Sequence, residues 1–276
     1  VDILRARVAF RERAFVDVLD LAVRFVVVHA RVYARVAAVV LLPSVVVTGI
    51  VARAYGWAVA WVLAAALAFA AQVPFTVLAS RLVFQDRVRA RDTLRDAARD
   101  LPKMLVLRGL WLVAVGVGSL FFLVPGAWVG TSLLFTGEVV LLERAAIGTA
   151  VGRAHRIATS AYADAMLGFA TMFVLPLGAM LLADFGGRAI LEELLQFRPP
   201  APLLAARGSI LAALGLFAVV PYAATVRFFV YLNARTCAEG WDVQTRFAAL
   251  AARYEEDARA ALAAGAPVRR AHDPAA

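Results

Sequence analysis

The chain has 276 residues, is 63% hydrophobic and has a mean hydropathy of +0.78. Ordinary soluble domains are roughly 45–50% apolar, so a soluble globular fold is excluded. The net charge of +9 does not mark a nucleic-acid surface, because the 29 Lys and Arg flank long apolar blocks instead of forming one basic face. Residues 36–52, 54–80, 165–183 and 208–226 carry no charge, and 109–142 carry only Glu138. About 20 apolar residues suffice to cross a bilayer. The blocks therefore predict an all-α polytopic transmembrane helical bundle of about six spans, with amphipathic interfacial helices on the cytoplasmic side.

In chain order, residues 1–33 read as a cytoplasmic amphipathic segment. Residues 1–35 hold seven Arg and four acids, with no small-residue cleavage site after a short apolar core, so a cleavable signal peptide is not expected. Within them 14–33 predicts a helix, with Phe15, Leu19, Ala22, Val23 and Val26 on one side. Asp20 and Arg24, one turn apart, are expected to pair. Such a helix lies in the headgroup plane or extends the first span, and the sequence leaves both open.

The membrane domain is expected over 34–232. Spans one and two are placed at 34–53 and 57–80, joined by a tight turn at Arg53–Trp57. The basic segment 81–108 reads as a cytoplasmic helix lying on the membrane. Spans three and four, 104–123 and 127–142, form a hairpin turning at Pro125-Gly126, or one span plus a re-entrant segment. Residues 143–164 are amphipathic, with Ile147, Ala150, Val151, Ala154 and Ile157 on one face. Span five is 165–183 and span six 208–232, separated by a loop with the breaker Pro199-Pro200-Ala201-Pro202. Pro43, Pro74, Pro176 and Pro221 fall inside spans, where neighbours can satisfy the freed carbonyl, so kinks are expected and not ends. A cytoplasmic helix over 233–264, with Asp242 as a cap at 242, and a disordered tail over 265–276 complete the chain.

Charge placement sets the orientation. With the N-terminus inside, residues 1–35, 81–108, 143–164 and 227–276 are cytoplasmic and hold 25 of the 29 Lys and Arg. The positive-inside rule then puts both termini in the cytoplasm. The basic segments would meet anionic headgroups of the lipid bilayer.

Candidate functional residues are few. Glu138 is the only acid well within a predicted span. An intramembrane carboxylate is costly, so it either serves a proton or cation pathway or pairs near the cytoplasmic end. Arg227 is its natural partner at matching depth, and could equally snorkel to phosphate. Gly116, Gly118, Gly126 and Gly130 predict close helix packing and not a phosphate loop, since no strand precedes them. A single cysteine, Cys237, and three scattered histidines point to no disulfide, metal or cofactor. No G-x-S-x-G, H-E-x-x-H or intramembrane Asp pair is present, so no catalytic residue is nominated and the chain is read as no enzyme.

Three motifs occur together. Leu19-Asp20-Leu21-Ala22 with Arg24 and Phe25 precedes span one, and Glu143-Arg144 precedes Ala150, Val151, Arg153, His155, Arg156 and Ile157. Span six ends in Tyr231-Leu232-Asn233-Ala234-Arg235, then Glu239-Gly240-Trp241-Asp242. This arrangement resembles the bacterial six-span integral membrane proteins related to the membrane domain of glycerophosphoryl diester phosphodiesterases. The resemblance covers most of the chain and is most specific in the last motif. It implies a multi-pass protein of the bacterial cytoplasmic membrane, associated with cell-envelope proteins and without the catalytic barrel. The family tends to have Asp at Asn233, Arg at Cys237 and Ser at Ala154, so an ion-pair network using those positions is expected to be weaker here.

Arg235 and Glu239 lie one turn apart, and Gly240 allows a corner before Asp242 caps the next helix. Glu138, Arg227, Glu143, Arg153, Arg235, Glu239 and Asp242 are thus the candidate polar network. The leading expectation is a non-enzymatic scaffold or accessory subunit with protein partners in the membrane. A transporter or channel component using Glu138 is second and a lipid-handling enzyme third.

Overall fold

The computed structural model describes residues 13–85 and 88–239. Of the expected helix over 233–264, residues 233–239 continue the helix that begins at Ile210, and the rest, with its cap Asp242 and the tail at 265–276, lies outside the described residues. Those described form an all-α bundle in which six helical stretches are long and apolar enough to cross a membrane. Helix suits these sequences because, in lipid, every backbone N–H and C=O must be satisfied within its own segment.

Helix α1 (Phe15–Val28) ends at His29, and α2 (Ala30–Tyr55) begins directly after it. The break makes α1 a separate element, and not an extension of the first span. Asp20 and Arg24 pair at 2.9 Å as expected. The buried face of α1 is Val18, Ala22 and Phe25, whereas the predicted Val23 is exposed. The helix is apolar over a wide arc, and contact with one neighbour selects only part of it. That neighbour is the last helix among the described residues, where Phe25 meets Phe229 edge-on at 5.1 Å.

Helices α2 and α3 (Trp57–Phe84) pack together across a one-residue turn at Gly56. Its φ of +84° lies in the left-handed region that glycine adopts freely. Helix α4 (Ala90–Phe121) is continuous through Pro102. This corrects the expected surface helix over 81–108, because its amphipathic stretch is the first half of the third span's own helix.

The next turn falls at Phe122, in extended conformation, and not at Pro125-Gly126. Pro125 sits in the first turn of α5 (Leu123–Ser132), where a missing N–H costs nothing, so it begins a helix. Gly126 still has a packing role. A Cβ there would fall 2.9 Å from the Ser119 backbone nitrogen, and one on Gly118 would fall 3.0 Å from the Gly126 Cα. Gly130 likewise admits the Phe169 ring, while Gly116 has open space around it.

The fourth span is broken. After α5 the chain passes through Leu133–Phe135 before α6 (Thr136–Glu143). The Thr136 hydroxyl donates to the Leu133 carbonyl at 2.8 Å, and short-range bonds from Leu134 and Thr136 nitrogens turn the backbone there. Helix α7 (Ile147–Ser160) buries Ala150, Ala154, Ile157 and Ala158, and exposes Ile147 and Val151 from the predicted face. Helix α8 (Tyr162–Ala189) runs into a π-helical turn at Ile190–Leu194. A four-residue helix, α9 (Leu203–Ala206), precedes α10 (Ile210–Glu239).

Helix α10 is the hub, packing against α1, α2, α3, α7 and α8. Phe217, Phe228 and Tyr231 of α10 are fully buried, as are Phe75 of α3 and Phe135 at the break. Gly215 allows the closest approach, since a Cβ there would lie 2.2 Å from the Ala179 carbonyl oxygen of α8. Phe173, Val174, Leu177, Leu182 and Phe185 of α8 point outward, as lipid-facing residues do.

Candidate functional site

Two polar clusters form at different levels of α10. The inner one centres on Arg227 and Glu138, which are 7% and 0% exposed at the side chain. Arg227 Nε donates to Glu138 Oε1 at 2.5 Å, and Nη1 donates to Gln72 Oε1 at 3.3 Å. The expected Glu138–Arg227 pair therefore exists, inside the bundle and not reaching solvent. It pins α6, α10 and α3 together. Glu138 occupies the first turn of α6, where the positive end of the helix dipole favours its charge.

A second buried arginine stands nearby. Arg108 of α4 is 7% exposed. Its guanidinium donates to the Phe69 carbonyl oxygen and lies 5.5 Å over the Phe69 ring, and its Nε is buried without a partner. Arg108 and Arg227 line one cavity of about 20 Å³, together with Phe69, Trp111, Thr136 and Gly137. Trp111 is held there by a 3.2 Å bond from its indole N–H to the Gly130 carbonyl. The cavity sits at the α5–α6 break.

The sequence reading missed Arg108, because it closes the basic run 81–108 and was counted as flanking charge. The signal was its helical stripe. Met104, Leu107, Arg108 and Trp111 share one face, and the first two are 1% and 6% exposed.

The outer cluster is a closed ring of alternating charge. Glu143, the last residue of α6, pairs with Arg153 of α7. Arg153 Nη2 meets Glu239 Oε1 at 2.6 Å, and Glu239 Oε2 accepts from Arg235 Nε at 3.0 Å. Arg235 Nη1 closes the ring at 3.4 Å from Glu143 Oε1. The Tyr231 hydroxyl donates to that same oxygen at 2.6 Å. Two acids and two bases thus fasten α6, α7 and α10, and all four belong to the predicted network. Arg144 makes the return possible by adopting a left-handed conformation, φ 53°, directly after α6. The seventh candidate, Asp242, lies outside the described residues.

Asn233 is engaged elsewhere, donating to Asp164 Oδ2 at 2.9 Å and exchanging bonds with the Arg13 backbone at 3.0 and 3.1 Å. It ties the start of α1 and the start of α8 to α10, a role the sequence did not reveal because its partners are 69 and 220 positions away.

No protein-family model matches this chain, and neither a curated protein nor a solved structure does.

Proposed function

We propose that this chain is a non-enzymatic integral membrane protein of the bacterial cytoplasmic membrane, with both termini in the cytoplasm. It acts as a scaffold or accessory subunit of a cell-envelope system. The observation that carries the reading is the charge ring of Glu143, Arg153, Glu239 and Arg235. Its acids and bases neutralise one another and fix three helices, which is the work of a rigid platform. Orientation rests on the 25 of 29 Lys and Arg in the segments read as cytoplasmic. The resemblance to the six-span membrane proteins related to the phosphodiesterase membrane domain supports the same reading.

Purification of the tagged full chain in mild detergent from its native membrane, followed by mass spectrometry, tests this. A partner at fixed stoichiometry, whose own membrane level falls when this chain is deleted, is the expected result. A solitary protein overturns it.

A second reading, a transporter or channel component, draws on one observation. The helix break at Leu133–Phe135 lies immediately before Glu138. Broken spans beside charged groups are a device of transporters. Ion-dependent flux in liposomes that Glu138→Gln abolishes, with normal insertion, would favour it over the scaffold.

A further inference from the structure

We infer that the cavity between Arg108 and Arg227 is a binding site for one small monatomic anion, chloride in the cell. Charge comes first. Arg108 and Arg227 are each 7% exposed, and one carboxylate stands beside them, Glu138, whose Oε1 binds Arg227 Nε at 2.5 Å while its Oε2 is buried with no partner. Two guanidinium groups against one carboxylate leave one positive charge inside a membrane bundle. A buried charge without a counter-ion is among the costliest features a fold can hold. A guanidinium cannot shed its proton to escape that cost.

Geometry comes second. Arg108 Nε is buried with no partner, and both arginines border the same cavity. Guanidinium N–H groups are donors only, so whatever satisfies them must accept. The other border atoms suit an anion too. Phe69, Trp111 and Gly137 bring no acidic group, although the Thr136 hydroxyl, its proton committed to Leu133 at 2.8 Å, adds no donor.

Size comes third. The cavity offers about 20 Å³, and one water needs roughly 10–15 Å³ by this measure. There is room for one or two water-sized guests, which suits a halide better than a phosphate or a lipid headgroup. The site goes beyond the scaffold reading and stands or falls separately from it.

The experiment compares the full chain in detergent in chloride, sulfate and gluconate at matched ionic strength. Melting temperature and chloride-35 NMR line width are the readouts. Wild type is expected to gain about 2–5 °C per tenfold increase in chloride once the site is half filled, and to broaden the chloride line. Arg108→Gln should lose both effects. Gly137→Ala is the variant that keeps the fold, because its new Cβ meets nothing closer than Arg227 Nη2 at 3.7 Å. It narrows the cavity and should weaken the chloride response at least tenfold. If Arg108→Gln fails to fold, Gly137→Ala decides. Absence of line broadening in wild type would assign the cavity to water and overturn the site. So would an equal effect from sulfate, or a chloride response unchanged in Gly137→Ala.

Discussion

Glu138 and Arg227 stand 89 positions apart in the sequence and 2.5 Å apart in the bundle, where they lock α6 to α10. Removing one partner of a buried pair costs about 3–5 kcal/mol, because the other charge is left unpaired. Arg227→Met should therefore destabilise strongly, and Glu138→Gln less, since an amide oxygen still accepts from Arg227. The double variant Glu138→Gln/Arg227→Met should recover part of the loss. Thermal unfolding of the four proteins in one detergent checks the ranking, and strictly additive losses would show that the pair is not coupled.

The outer ring should behave differently, because it is partly wet. Glu143 and Arg235 are 14% and 15% exposed at the side chain, and Arg153 is 35%. Glu143→Gln weakens contacts to Arg153, Arg235 and Tyr231 together, and should cost more than Glu239→Gln. Both effects should shrink in high salt, which screens exposed charge and spares the inner pair. A melting series from low to high ionic strength separates the two clusters.

Glycine positions give a sharper contrast. Gly215→Ala drives a methyl to 2.2 Å from the Ala179 carbonyl oxygen, so α8 must move away from α10. Overpacking of this kind costs about 1–3 kcal/mol. Gly116→Ala and Gly178→Ala meet nothing within 4 Å and should be neutral or slightly stabilising. Equal effects at all three positions would contradict the helix packing described.

Asn233 offers a test of the contacts that join α8 to α10. Asn233→Asp removes the amide donor and sets a second carboxylate beside Asp164, now 2.9 Å away. A lost buried hydrogen bond costs about 1–3 kcal/mol, and like-charge repulsion adds to it. The variant should melt earlier than wild type at neutral pH and close that gap in acid, as a carboxyl takes up a proton.

Orientation has its own measurement. In a Cys237→Ser background, Tyr55→Cys should react with a membrane-impermeant thiol reagent added to whole cells. Ile147→Cys should react only after the membrane is opened. Both positions are exposed on the protein, Tyr55 at 74% and Ile147 at 39%. The reverse pattern would invert the topology.

The spans were legible because charge is excluded from them, and Glu138–Arg227 was legible because two lone charges at matching depth have few other partners. The ring residues were found through their motifs, and Arg235–Glu239 through simple helical spacing. What failed to show were features decided by packing. Pro125 looked like a turn and instead starts α5, since the first turn of a helix tolerates proline. The break at Leu133–Phe135 carries no proline or glycine and is written only in hydroxyl bonding by Thr136. Arg108 hid at the end of a basic run, and Val23 of α1 looked inward until α10 chose a neighbouring stripe.

The position of α10 governs how the molecule must be built. Its packing partners α1, α2, α3, α7 and α8 all precede it in the chain. Each leaves the ribosome and enters the bilayer before the surface it needs exists. Until α10 arrives, Gln72, Glu138 and Arg153 lack the α10 side chains they bind. Assembly is thus completed late and in one step, and a chain stopped before residue 210 would be a substrate for membrane quality control.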